Sequence, residues 1–203
     1  MDAIPLEVQY RITCSIAAAV KYRVPANLFL AVAEKENGKP GRRRLNRNGT
    51  QDVGFMQFNT AYLADLARYG ITATDVATAG CYSFELAAWR LRQQINNDNG
   101  DLWTRAANYH SRTPQYNQVY RADLMQKASK WADWLDARFL THNLLQTRPT
   151  QPLEHGSQVG ESRVQLPEGK STGFKQNNAP HQIAKAGYVP RMIIAKRQLV
   201  EKR

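Results

Sequence analysis

Apolar residues recur at helical spacing over most of the first 140 positions, and no stretch alternates long enough to read as an extended strand. The pattern from Leu6 to Tyr22 predicts one helix. Pro25 suits the first position of a second, and Asn37-Gly38 closes it. Positions 38–54 are rich in Gly, Arg and Asn and read as a loop, with Asn48-Gly49 able to turn a small hairpin between Arg44 and Val53. Further helices are expected over 60–69, stopped by Gly70, then over 83–96 and 102–110. Thr113-Pro114 opens a long one reaching about Arg138. The class is mainly α.

Within the second helix Phe29, Val32, Ala33 and Glu36 share a face. A carboxylate on an apolar face is disfavoured as an anion, so its pKa should rise. A carboxylic acid that holds its proton near neutral pH can serve as a general acid. Position alone also fits a helix-end glutamate in solvent; the residues downstream favour chemistry.

Composition changes the picture after Leu140. Residues 141–203 carry ten Lys or Arg against four Glu, a net charge of +6, with Pro149, Pro152, Pro167 and Pro180 among many Gln, Ser and Gly. This predicts a flexible basic tail after a domain over 1–140. Its end, 192–200, has the pattern of a short amphipathic helix suited to a partner. The whole chain has a formal charge of +11, which fits either nucleic acid or an anionic wall or membrane surface. No helix-turn-helix signature, zinc spacing or aromatic-rich strand motif supports nucleic acid, so none is expected as a partner. No apolar run approaches the length of a membrane span. The acidic first residues lack the basic and apolar regions of a signal peptide, so export is expected by another route or after a signal has been removed. Cys14 and Cys81 are compatible with one disulfide or with two buried thiols, and no spacing suggests a metal site.

Three segments then fall in order: Glu36-Asn37-Gly38, Gly54-Phe55-Met56-Gln57-Phe58-Asn59, and Ala107-Asn108-Tyr109-His110-Ser111. Over about residues 12–135 this order resembles the soluble lytic transglycosylases, lysozyme-like domains of the goose type that cut peptidoglycan. The branch that accompanies conjugation, type IV secretion and pilus systems is the most similar. The resemblance implies that Glu36 is the catalytic acid, with Glu34 a rival two residues earlier. It implies substrate contacts from Gly54, Met56, Gln57, Asn59, Tyr109, His110 and Tyr120. Gly54 would let the backbone approach a sugar, Met56 would pack under the cleft, and Gln57 would bind substrate or orient the glutamate. The Tyr109 hydroxyl would hydrogen-bond the glutamate. Asn37 stands where the family usually has serine, and His110 where asparagine is common. Cys14 and Cys81 match cysteines that often pair in this branch, which implies an oxidising periplasm or cell envelope; a virion-associated protein is the alternative.

The implied reaction cleaves the bond between N-acetylmuramic acid and N-acetylglucosamine and leaves a 1,6-anhydro end, without cofactor or metal. Asp52, beside the second motif, keeps open a two-carboxylate hydrolysis; the milder expectation is that it caps or orients its loop. The basic run from Arg42 to Arg47 is placed to meet peptide-stem carboxylates, or is a solvated loop. Peptidoglycan is the expected partner, together with components of a secretion or conjugation machine reached through the tail. A non-catalytic assembly factor of the same fold is the competing function.

Overall fold

Every residue at positions 26–33 is buried, and on a helix such a run means enclosure on all sides. In the computed structural model, which describes residues 4–143 and 190–193, this helix is the centre of the domain. It is α2, Ala26–Glu36, and it follows α1, Leu6–Tyr22. The chain then forms β1, Arg43–Leu45, β2, Gln51–Val53, and β3, Phe58–Asn59, as one antiparallel sheet in that order. Helix α3 covers Thr60–Leu66 and tightens into a 3-10 turn that Gly70 ends. The remaining helices are α4, Ala73–Ala77, α5, Tyr82–Asn97, α6, Leu102–Ala107, and α7, Pro114–Asp136. Helices α1 and α7 both pack on α2, and α5 packs on α1. No helix among the described residues is long and apolar enough to cross a membrane.

Local chemistry sets the ends of these elements. Asn59 caps α3, its Oδ1 accepting from the Ala61 N–H at 3.0 Å. Thr72 and Asp75 form a capping box that starts α4, a helix too short for the apolar pattern to reveal. The carboxylate of Asp101 accepts the Thr104 N–H at 2.7 Å and opens α6. Pro114 takes the first position of α7. The sixth helix ends at Ala107 rather than His110, because the carbonyls of Ala106 and Ala107 are taken by turns that carry Tyr109 and His110 away from the helix axis.

Cys14 on α1 and Cys81 at the start of α5 form a disulfide that closes 67 positions of chain. Closing a loop of that length restricts the unfolded chain by about 4 kcal/mol. Within the core, Asn27 ties three elements: its Nδ2 donates to the Ala128 carbonyl of α7 at 3.2 Å, and its Oδ1 accepts the Arg191 N–H at 3.1 Å. Arg191 belongs to β5, Arg191–Ile193, which pairs antiparallel with β4, Thr141–Asn143. Its guanidinium also pairs with Asp136 at 2.8 Å. Met192 and Ile193 are therefore in a strand, not in the amphipathic helix expected there: the backbone of β5 is held by β4 and by Asn27. The rest of that helix, and the flexible tail over 144–189, lie outside the described residues.

Candidate functional site

The last residue of α2 is Glu36, and it opens onto a cleft of about 840 Å³. One wall is built by α2, α7 and the segment after α6. The other is the hairpin of β1 and β2. The two walls meet where Gly38 donates to the Phe55 carbonyl at 3.1 Å. A Cβ on Gly38 would lie 2.0 Å from the Gly54 oxygen, so the approach requires glycine.

Glu36 is half-buried, and Tyr120 of α7 donates its hydroxyl to Oε1 at 2.7 Å. Burial pushes the carboxyl up to about 7. The Tyr120 hydrogen bond and the charges of Arg90 and Lys35 work against that rise, and the charge of Asp52 adds to it. The negative end of α2 also disfavours an anion at this position. Among the described residues Glu36 has no ion-pair partner. Glu34, two residues earlier, is the opposite case. Lys127 Nζ reaches its Oε1 at 2.9 Å and Trp131 Nε1 its Oε2 at 2.7 Å, away from the cleft lining.

The expected contact from Tyr109 to the glutamate is not made. Tyr109 is buried, and its hydroxyl donates to the Met56 carbonyl at 2.9 Å. Tyr120 holds the glutamate instead, because α7 lies directly against α2 while residue 109 leans on the loop before β3. His110 is exposed and stacks on Tyr120, with ring centres 4.9 Å apart and planes 4° from parallel. Partial burial and the Lys35 charge lower its pKa, and the Asp52 charge works against that fall.

Gly54 also departs from expectation. Its φ of 73° demands glycine, but the space a side chain would fill belongs to the Val76 carbonyl of α4, 2.1 Å from a built Cβ. The glycine serves the packing of the loop on α4 and does not line the cleft. Met56 is fully buried beneath. Gln57 lines the cleft in a left-handed conformation, φ 48°, and its Nε2 donates to the Gly54 carbonyl at 2.7 Å; it makes no hydrogen bond to Glu36. A non-glycine residue held there carries strain that functional sites commonly store. Asn37 is also left-handed, and its Oδ1 accepts from Arg11 at 2.9 Å, outside the cleft.

Across the sheet, register puts Arg44 opposite Asp52 and Asp52 opposite Asn59, so these three form one row facing the cleft. Asn59 Nδ2 donates to Asp52 Oδ1 at 3.0 Å and to Thr50 Oγ1 at 2.9 Å. Asp52 is thus held by its own sheet and faces the same space as Glu36.

Arg90 of α5 carries no signal in the sequence, yet it stands at the cleft floor. Its guanidinium lies 4.2 Å from the Tyr62 ring centre and 4.6 Å from that of Tyr109, and it donates to the Tyr109 carbonyl at 3.0 Å. Two aromatic faces and a carbonyl hold this cation, and among the described residues it forms no ion pair.

A half-buried carboxyl under a tyrosine, in a cleft of a helical domain, is matched by a comparison at the level of families. The model of the transglycosylase SLT domain covers residues 13–132 of this chain. The chain belongs to that family. Among SLT relatives, Protein IpgF of Shigella flexneri is 30% identical over 104 residues, 51% of this chain and 68% of that protein. Invasion protein IagB of Salmonella typhimurium is 26% identical over 118 residues, 58% of this chain and 71% of that protein. The SLT match contains the whole cleft, from Lys35 to Tyr120.

Proposed function

We propose that this chain is a peptidoglycan lytic transglycosylase with Glu36 as its single acid and base. The observation that carries the reading is the state of Glu36: half-buried, without an ion-pair partner among the described residues, and pushed up to about 7. Near neutral pH such a group is present in both forms, which a residue that first gives and then takes a proton requires.

In the proposed reaction Glu36 donates its proton to the bridging oxygen as the bond from that oxygen to C1 of N-acetylmuramic acid breaks. The carbonyl oxygen of the sugar's own 2-acetamido group stabilises C1. Glu36, now a carboxylate, removes the proton of the C6 hydroxyl, whose oxygen bonds to C1 and displaces the acetamido oxygen. The product ends in 1,6-anhydro-N-acetylmuramic acid, the acid is regenerated, and no water is consumed. Tyr120 and Arg90 stabilise the carboxylate between the two steps, since both lower the Glu36 pKa. His110, stacked on Tyr120, and Gln57 line the space a sugar would fill.

Asp52 supports a second reading, lysozyme-like hydrolysis, because it faces the same cleft and its charge raises the Glu36 pKa. Against it, Asp52 is committed to Asn59 in its own sheet. The cellular role we propose is local opening of the wall for a secretion or conjugation apparatus, or for a phage. The Cys14–Cys81 disulfide supports a periplasmic or envelope setting.

Mass spectrometry of the soluble products of purified peptidoglycan tests the reaction. Anhydro-ended muropeptides from the wild type, absent with Glu36→Gln, are expected. Reducing ends would make the chain a hydrolase; no products from either protein would favour an assembly factor.

A further inference from the structure

We infer that Arg44 and Arg47 form a subsite for the carboxylates of the peptide stems on the glycan strand in the cleft. The inference rests on reading the cleft as a wall-glycan site, and it assigns that site a preference among strands.

Other cations of the cleft already have partners. Lys35 pairs with Asp123, and Arg90 is enclosed by Tyr62 and Tyr109. Elsewhere Arg112 pairs with Asp98, Arg121 with Asp101 and Lys127 with Glu34. Arg44 and Arg47 both line the cleft, and among the described residues neither forms an ion pair.

Their scaffold is fixed. At the tip, Asn46 N–H donates to the Thr50 carbonyl at 2.8 Å, and Asn48 Oδ1 accepts from Thr50 Oγ1 at 2.7 Å. At the base, Gly54 N–H donates to the Arg42 carbonyl at 2.9 Å and Gly41 N–H to the Ala77 carbonyl at 2.7 Å. Alternation along β1 puts Arg44 in the row of Asp52, toward the cleft, and Arg43 opposite Val53, away from it. Two guanidinium groups therefore line the cleft from a pinned backbone, and among the described residues neither is paired with a carboxylate.

A wall strand offers the complementary chemistry. Its sugar rings are uncharged, and its negative charge sits on stem carboxylates that project from them. Guanidinium groups match carboxylates bidentately. The same cations would also attract phosphate of wall polymers, which share the anionic chemistry.

The test uses the full chain carrying Glu36→Gln as a non-cleaving binder of purified sacculi. Three preparations are compared: untreated, stripped of phosphate polymers, and stripped with stem carboxylates then amidated. Stripped sacculi are expected to bind about five- to tenfold more tightly than amidated ones, the yield of two partly exposed charge pairs. Adding Arg44→Ala and Arg47→Ala is expected to abolish that ratio, Arg44→Lys with Arg47→Lys to restore part of it, and Arg43→Ala to leave it intact. Equal binding to stripped and amidated sacculi, a ratio that survives the double alanine variant, or a preference confined to untreated sacculi would each overturn the inference. Anhydro ends released by the wild type from amidated sacculi report on the reaction separately.

Discussion

The two walls of the cleft are built on opposite plans. On the helical wall the groups nearest the chemistry are held: Tyr120 donates to Glu36, Tyr109 to the Met56 carbonyl, and Arg90 is enclosed by two rings. On the hairpin wall the backbone is pinned at tip and base while Arg44 and Arg47 extend without ionic partners among the described residues. A group that must hold a shifted pKa needs fixed, dry surroundings, and a fully packed helix supplies them. A group that selects among charged strands gains from staying solvated and unpaired until its ligand arrives. The cleft divides chemistry from selection along the line where Gly38 joins the walls.

The comparison can be broken at its chemical end first. Glu36→Gln should lower turnover roughly a thousandfold, the scale of general acid–base catalysis. The same change should raise stability at alkaline pH. A carboxyl whose pKa rises from 4.5 unfolded to about 7 folded costs the folded state stability as pH climbs through that window. Glutamine removes the cost, so the melting temperature of the variant should exceed that of the wild type at pH 8 and approach it at pH 4, read by thermal melts at both.

Joining the walls is the next largest effect. Gly38→Ala sets a methyl 2.0 Å from the Gly54 oxygen, and the two backbones must separate. A loss of about 3 kcal/mol in denaturant unfolding is expected, with activity falling too as the hairpin shifts.

The two tyrosines then sharpen the contrast within the helical wall. Tyr109→Phe leaves a buried carbonyl without its donor and should cost about 1–3 kcal/mol of stability, with the pH–rate profile unmoved. Tyr120→Phe removes a hydrogen bond that lowers the Glu36 pKa, so the limb set by Glu36 should move to higher pH, with kcat down about tenfold. If Tyr109→Phe moved the pH limb and Tyr120→Phe did not, their roles would be exchanged. The smallest effect is expected at Arg43, exposed and turned from the cleft; Arg43→Ala should change stability by no more than about 0.5 kcal/mol.

Much of this architecture can be read along the chain, because long helices advertise themselves by period. Leu6–Tyr22 and Ala26–Glu36 have the bounds the pattern predicts, and Asn48-Gly49 turns the hairpin expected of it. The short elements are another matter. Two or three residues of β3, β4 or β5 show no alternation, and α4 offers only the Thr72–Asp75 box. The site is half legible for a related reason. Glu36 is conspicuous because a carboxylate on an apolar face violates the local pattern. Its partner is not, since Tyr120 lies 84 positions away and only the packing of α7 on α2 selects it over Tyr109. Arg90 is hidden likewise, as its meaning comes from rings on two other segments.

Digestion of peptidoglycan in water labelled with heavy oxygen, by the wild type and by Asp52→Asn, tests the central claim most directly. If Glu36 acts alone and the C6 oxygen closes onto C1, both proteins will release anhydro ends that carry no label. Labelled reducing ends from the wild type, lost with Asp52→Asn, would mean that water attacks C1, that Asp52 directs it, and that the single-carboxyl account is wrong.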